Sequence, residues 1–448
     1  MLIVPDALDR LDAALAAARA AGADAADALY VGDGSTSISV RLGKLEDIGR
    51  SEGEEVGIRV FIGHKSASVS SSDLSPAALA IAAERAVAMA RLAPDDPWAG
   101  LAPADRLLSG AIPDHDVDDG GDPSAETLRD LAMAAEDAAR AVAGVTNSEG
   151  GGASAGRAVT ALATSGGFRG GRKSTSYGSS ASVLAGEGAD MQRDYAWHSA
   201  RHFADLEGAD IIGRRAGERA VRRLRPIKLE TASLPIVFDP RISASLIGHL
   251  IGAISGSSIT RGTSFLKDAL GTQVFDTSIT IIDDPLRHRG LRSRGFDGEG
   301  LPVAVTRIID KGVLTGWMLD AASARQLGLQ PTGHAARGTS GPPGVGVTNL
   351  HLAAGTVSPA ALMADIKRGF YVTELIGMGV NGLTGDYSRG ASGFLIEDGD
   401  ITVPVAEVTI AGNLVDMFKA LVAADDLQFR HASNVPTLRI DGMTIAGA

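Results

Sequence analysis

Four stretches of the sequence hold residue types that can do chemistry. His198 and His202 form its one His-x-x-x-His pair. On a helix the two imidazoles would share a face and could bind one ion. Met191 to Phe203 instead sets Tyr195, Trp197 and Ser199 against Ala196, His198 and Ala200, the alternation of a strand. At ~3.3 Å per residue the two rings then stand ~13 Å apart, too far to share a metal. No histidine is followed by Glu, so there is no His-Glu-x-x-His motif. Gly152-Ala153-Ser154-Ala155-Gly156 has the spacing of a nucleophile elbow. That elbow needs a hydrophobic strand before it, and Ser148-Glu149-Gly150-Gly151 stands there instead. Asn147 to Ala155 therefore reads as a Gly- and Ser-rich loop.

Gly377-Met378-Gly379-Val380-Asn381-Gly382 matches a dinucleotide fingerprint after a strand-like run, Tyr371 to Ile376. Leu383 to Gly390 does not start a helix, so no helix N-terminus faces a pyrophosphate. Asp283, Asp284, Asp297 and Glu299 surround a basic cluster of Arg287, His288, Arg289, Arg292 and Arg294. An oxygen-ligand metal site is one reading of them. A solvated loop of mutual ion pairs is the preferred one, since surface charges usually pair weakly.

These residues must be positioned by the elements around them, and the central one begins at a strand, Leu234 to Phe238. Asp239 is placed to cap a helix, and Pro240 suits its first turn. Ile242, Leu246, Ile247, Leu250, Ile251 and Ile254 recur as one apolar helical face. Gly248 and Gly252 sit on the other side, where another backbone can approach closely. The helix ends at Ser255-Gly256-Ser257-Ser258, and Arg261-Gly262-Thr263-Ser264 follow in a loop.

A helix over 6–22 opens the chain. Strands follow at Asp27–Val31, Ser35–Leu42, Val56–Ile62 and Ala67–Ser71, then a helix from Ser75-Pro76 to about Leu92. A proline-rich, acidic loop marks a first boundary. Past it come a helix from Ser124 to about Val142, two or three strands to Arg201, and a helix over Glu207–Leu224. Pro226 stops that helix near a second boundary. Beyond it, hairpins are expected at Ile308–Leu314, Ile396–Ile401 and Leu438–Ile445, with helices at Pro359–Lys367 and Leu414–Ala423. The fold class is α+β: subdomains 1–112 and 113–228, mixed in α and β, then a β-rich domain 229–448 with its central helix after the first strand.

Composition narrows the function classes. A net charge of −12 argues against a nucleic-acid surface, which needs clustered cations. The chain has no cysteine, which excludes disulfides and thiolate metal ligands. No apolar run reaches the ~20 residues of a membrane helix, and no signal peptide is evident, so the expected location is cytoplasmic.

The run Val380-Asn381-Gly382-Leu383-Thr384-Gly385-Asp386-Tyr387-Ser388-Arg389-Gly390-Ala391-Ser392-Gly393, together with Ile410-Ala411-Gly412-Asn413-Leu414, Gly300-Leu301-Pro302 and Pro331-Thr332-Gly333, resembles the TldD/PmbA (TldE) family of modulators of DNA gyrase, in its PmbA/TldE branch. The resemblance covers essentially the whole chain. In the TldD branch the central helix carries His-Glu-x-x-x-His, two zinc ligands and a catalytic Glu, with a Cys near the C-terminus completing the site. Aligned on Arg261-Gly262-Thr263-Ser264, the three slots here hold Ile247, Gly248 and Gly252. Another register does not restore the motif, because the helix has one histidine, His249. The resemblance thus implies a heterodimer with a TldD-like subunit that supplies the zinc and the catalytic Glu, acting on unstructured peptides. This chain would hold no metal and no catalytic residue. It would close the chamber, offer strand edges to extended peptides, and line the cavity with Arg261, Thr263 and Ser264. Two alternatives stand beside this: a hydrolase with an unrecognised metal or serine site, and a non-enzymatic homodimer.

Overall fold

The computed structural model describes residues 1–447. The chain is α+β. Its N-terminal half holds α1 (Val4–Ala20), β1 (Ala25–Arg41), β2 (Lys44–Ile62), β3 (Lys65–Ser71), α2 (Pro76–Leu92), α3 (Ala125–Arg140), β4 (Val145–Thr164), β5 (Arg169–Ala185), β6 (Gln192–Ala200) and α4 (Ala209–Arg222). The strands form one antiparallel sheet in the order β3-β2-β1-β4-β5-β6. β1 and β4 are long enough to pass under both helix pairs. The early residues Ala26, Ala28 and Tyr30 of β1 pack in the core beneath α1 and α2. Its late residues Ile38 and Val40 pack with Leu128 and Ala132 of α3. One sheet thus carries strands from both sides of residue 113.

Local sequence explains these elements. Ser75 caps α2 by accepting from Ala78 N–H, and Ser124 caps α3 by accepting from Thr127 N–H. α3 and α4 pack very closely, because α4 presents Gly213 and Gly217. A Cβ on Gly213 would collide with the carbonyl oxygen of Ala135, and one on Gly217 would stand 2.7 Å from that of Ala139. The β1–β2 turn, Leu42-Gly43, has both residues at positive φ, as a type I′ turn requires. The buried Glu136 of α3 holds it, accepting from Leu42 N–H at 2.7 Å and Gly43 N–H at 2.9 Å.

Two expectations fail in the sheets. Asn147–Ala155 is not a loop but the first half of β4, paired with β1 and β5. Ala153 and Ala155 face the helices, while Gly152, Ser154 and Gly156 face outward. That is period-two patterning written in small residues. Leu438–Ile445 is not a hairpin either. It lies within one strand, with a register irregularity between Ile440 and Met443 that Gly442 accommodates at φ +80°.

The C-terminal half contains β7 (Ala232–Phe238), α5 (Pro240–Ala253), α6 (Gly256–Thr260), β8 (Ile281–Asp283), β9 (Thr306–Asp310), β10 (Val313–Leu314), α7 (Ala321–Leu327), β11 (Ala335–Ala336), β12 (Gly344–Val345), β13 (Leu350–Leu352), α8 (Pro359–Met363), β14 (Arg368–Val380), β15 (Asp386–Glu397), β16 (Asp400–Asn413), α9 (Leu414–Ala420), β17 (Val422–Ala423), β18 (Ser433–Asn434) and β19 (Leu438–Ala446). The hairpins expected at Lys311-Gly312 and Asp398-Gly399 are present, with positive φ at all four residues. One sheet runs β16-β15-β14-β7-β19-β17, and β16 also pairs with β19. Five strands therefore close into a barrel, which removes the free edges an open sheet would leave. A second, smaller sheet runs β10-β9-β8-β13-β18. Both sheets share one core with α5, including Ile236, Phe238, Leu246, Phe370, Ile281 and Ile309. Among the described residues no helix is long and apolar enough to cross a membrane.

Candidate functional site

The central helix forms as its caps dictate. Asp239 accepts from Arg241 N–H at 3.0 Å and also takes the Tyr371 hydroxyl at 3.0 Å. Arg241 reaches across to Asp194 of β6 at 2.8 Å and so ties α5 to the N-terminal sheet. Burial would raise the Asp194 pKa, but Arg241 and Arg223 hold it below the ordinary carboxylate value.

The three slots of the zinc motif do not come together here. Ile247 is fully buried in the core beside Leu246 and Leu250. Gly248 and Gly252 lie on the exposed face, and a Cβ added at either would meet nothing within 4 Å. The close backbone approach expected at these glycines is therefore absent within the described chain. What faces solvent is bare helix backbone.

His249 stands between them. Its ring is edge-on to Tyr387, with centroids 5.9 Å apart. Burial, with Arg389 nearby, lowers the His249 pKa, so the ring is neutral near pH 7. His249 Nε2 and the Tyr387 hydroxyl are both buried and have no hydrogen-bond partner among the described residues. Sequence reading passed over Tyr387 and Arg389 as site residues, although both lie in the DYSRG run.

Past α5, Ser255 and Ser258 each donate to Gly252 O, at 3.0 and 2.9 Å. Arg261 and Thr263 are exposed. Ser264 is buried, and its hydroxyl accepts from Leu266 N–H at 3.0 Å. Phe265 N–H donates to Gly382 O, which docks this loop on the β14–β15 turn. In that turn Asn381 accepts from Leu383 N–H, while Asn413 donates to Asp386 at 3.1 Å. The polar residues of the shared motif thus build a connection between strands. The Gly-x-Gly run ends β14 and leads into β15, with no helix to receive a phosphate.

The other candidates resolve separately. His198 lies in β6 and accepts from Glu207 N–H at 3.1 Å. His202 lies beyond the strand, 2.9 Å from Asp116 O. Ser154 sits mid-strand in β4 rather than at an elbow. The acidic stretch corrects a further expectation: Asp283, Asp297 and Glu299 are buried, not solvated. Asp297 accepts from Glu299, Leu301 and Ala335 N–H, Asp283 from Thr348, and Glu299 from Ala321. Backbone from distant parts of the chain, at the start of α7, in β11 and at Thr348, helps to bury them. Desolvation raises the Glu299 pKa to about 7.

Models of the PmbA/TldA metallopeptidase domains match this chain at residues 26–90 (domain 1), 118–224 (central domain) and 231–447 (C-terminal domain). The chain belongs to the PmbA/TldD family. It is 38% identical to Metalloprotease PmbA of Escherichia coli O157:H7 over 97% of this chain and 94% of that one. The crystal structure of a modulator of DNA gyrase from Bacteroides thetaiotaomicron superposes with a TM-score of 0.92 and 27% identity over 100% of both chains. TldE from Thermococcus kodakarensis shares the fold, with a TM-score of 0.87 at 21% identity over 98% of this chain and 100% of that one.

At the three aligned positions the residues present do not fit the zinc that the family name implies. Ile247, Gly248 and Gly252 offer no ligand atom, and the chain has no thiolate. Among the described residues no three of His, Cys, Asp and Glu are grouped to hold a metal.

Proposed function

We propose that this chain is the PmbA/TldE-type subunit of a cytoplasmic two-chain zinc peptidase. A TldD-like partner supplies the metal and the catalytic carboxylate. This chain completes the chamber and holds unstructured peptides without cutting them. The observation that carries this reading is the outward face of α5. Where the family motif calls for a carboxylate and an imidazole, Gly248 and Gly252 leave exposed backbone open to a neighbour. Arg261 and Thr263 flank that face and are proposed to line the shared cavity, whereas the Ser264 hydroxyl is engaged within its own loop.

The test is co-expression with a TldD-like chain from the same genome. A complex should elute as one species, contain zinc, and cleave an unfolded peptide until a chelator is added. The chain alone should do none of these. Absence of a complex would remove the subunit role. The metalloprotease name borne by the Escherichia coli relative favours a second reading, in which the chain is itself a metalloprotease. Stoichiometric zinc in the isolated chain, with chelator-sensitive cleavage, would establish that reading instead.

A further inference from the structure

The outer face of the N-terminal sheet is paved with small side chains. Ser37, Ser154, Gly178 and Ser199 stand side by side across β1, β4, β5 and β6. The next row is Ser39, Gly152, Ser180 and Trp197. The helices cover the opposite face only. A shallow trough runs over this paving, and at Ser199 it shares its wall with a cleft of about 180 Å³. That cleft lies between β6 and the loops around Arg287 and Arg430.

The cleft has too few carboxylates for its cations. Four arginines line it, Arg201, Arg287, Arg289 and Arg430, with Asp205 as the one acid. Arg289 pairs with Asp116 at 2.7 Å and Asp205 at 3.1 Å. Arg430 pairs with Glu207, which Arg215 also grips. Arg201 and Arg287 make no salt bridge among the described residues, although Asp284 is near enough to Arg287 to offset part of the effect of its burial. Arg201 donates to the carbonyls of Thr175 and Leu291, and its Nε is buried without a partner. Arg287 lies over the Phe429 ring at 3.4 Å. Behind them half-buried Arg172 donates to Ser293 O at 3.0 Å. Burial, then Arg294 and Arg201, push it down to about 10. On the opposite wall His431, packed on Trp197 at 4.4 Å, has a buried Nδ1 that is also unpartnered.

Half-buried cations of one sign repel, and an oxyanion placed among them relieves that repulsion. Guanidinium groups suit it, because their fork matches a carboxylate or phosphate. We propose that this cleft is an oxyanion site, and that its ligand is the carboxylate of an extended peptide lying along the adjoining glycine–serine trough. The trough contributes hydroxyls and flat space, plus the exposed rings of Tyr195 and Trp197 for side chains of any type. The anion site stands on the cleft alone. The peptide as its source rests on the function proposed above.

The isolated chain tests both by calorimetry. The probes are inorganic phosphate, a flexible heptapeptide with a free C-terminal carboxylate, and the same peptide amidated. The free-acid peptide should bind at least about tenfold tighter than the amide, as a charge-assisted contact gives. Phosphate should compete with it. Arg287→Gln should cost a similar factor, with a melting temperature lowered only by the lost stacking on Phe429, because that guanidinium makes no hydrogen bond among the described residues, and Arg287→Lys should fall between. Phosphate binding that is sensitive to Arg287→Gln, with equal peptide affinities, would overturn the peptide and leave a small anion as ligand. No phosphate binding and equal peptide affinities would overturn the site. If the variant fails to fold, a wild-type melting temperature that rises in phosphate but not in chloride of equal ionic strength supports the site, and equal melting overturns it. None of these readouts requires the TldD-like partner, so failure here is distinct from failure of the subunit assignment.

Discussion

Two helices of this chain carry glycines four residues apart, and they end in opposite surroundings. In α4, Gly213 and Gly217 let the backbone of α3 come so near that no side chain fits between. In α5, Gly248 and Gly252 face outward with nothing above them. The spacing is the same and the packing is not. A helical glycine pair therefore says that a backbone surface is flat, and tertiary context decides whether something already lies on it. In α4 the occupant is part of the same chain. In α5 the structure leaves the seat open, and we propose that a second subunit takes it.

Substitutions can break this contrast. Gly213→Ala should be the most damaging, destabilising the chain by about 1–3 kcal/mol, because the added methyl meets carbonyl oxygen rather than a flexible side chain. A lower thermal midpoint reads it out, and an unchanged midpoint would mean that α3 and α4 are not in close contact. On the open side, Tyr387→Phe should raise the stability of the isolated chain by about 1 kcal/mol or more, since it deletes a buried hydroxyl without a partner. A loss of stability would reveal that the hydroxyl is bonded after all. Gly252→Ala should have the smallest effect and the opposite sign to Gly213→Ala. It should stabilise the isolated chain by about 0.5–1 kcal/mol, through helix propensity alone. Denaturant midpoints of the two alanine variants, measured together, give the sharpest form of the comparison.

Acidification supplies a control that touches neither helix. Glu299 has its folded pKa raised, by burial, to about 7 from 4.5. Its folded form holds a proton that the unfolded chain releases, so its contribution is fully present below about pH 4.5 and is lost as pH rises towards 7. His334 is opposite: burial, then Arg294, lowers it to about 4 from 6.5, and its contribution is lost as pH falls through that window. The two slopes oppose each other, each about 1.4 kcal/mol per pH unit at most. Glu299→Gln should therefore make stability fall faster on acidification from pH 6.5 to 4.5. The ranking of the glycine variants should not change.

Much of the fold was legible where signals are local. Asp239-Pro240 and the Ile/Leu spacing placed α5, and Asp398-Gly399 placed its hairpin. Reading failed where the signal is weak or the cause is distant. Within β4, Gly152, Ser154 and Gly156 alternate with Ala153 and Ala155, so period two is present without a hydrophobic contrast to reveal it. Asp441-Gly442 is a turn signal, but Met443 and Ile445 keep pairing with β7, so the glycine serves a bulge. Asp283, Asp297 and Glu299 looked solvated because their neighbours in sequence are charged. The groups that bury them, at Thr348, Ala335 and Ala321, lie well away in sequence. For the candidate site, the three aligned slots were legible as non-coordinating residues. The helical spacing already set Ile247 on the apolar face and the glycines on the other side; that no other described part of the chain comes close to those glycines required the fold.

The barrel has one further consequence, for how the protein is made. Its first stave, β7, sits between β14 and the last strand, β19. A ribosome must therefore deliver residue 446 before the final seam can be sealed. Until then the nascent domain exposes unpaired main-chain groups on β7 and β16, a template for unwanted association. Delivery of β19, rather than folding of the strands made before it, sets the moment at which this half of the molecule becomes safe from its neighbours.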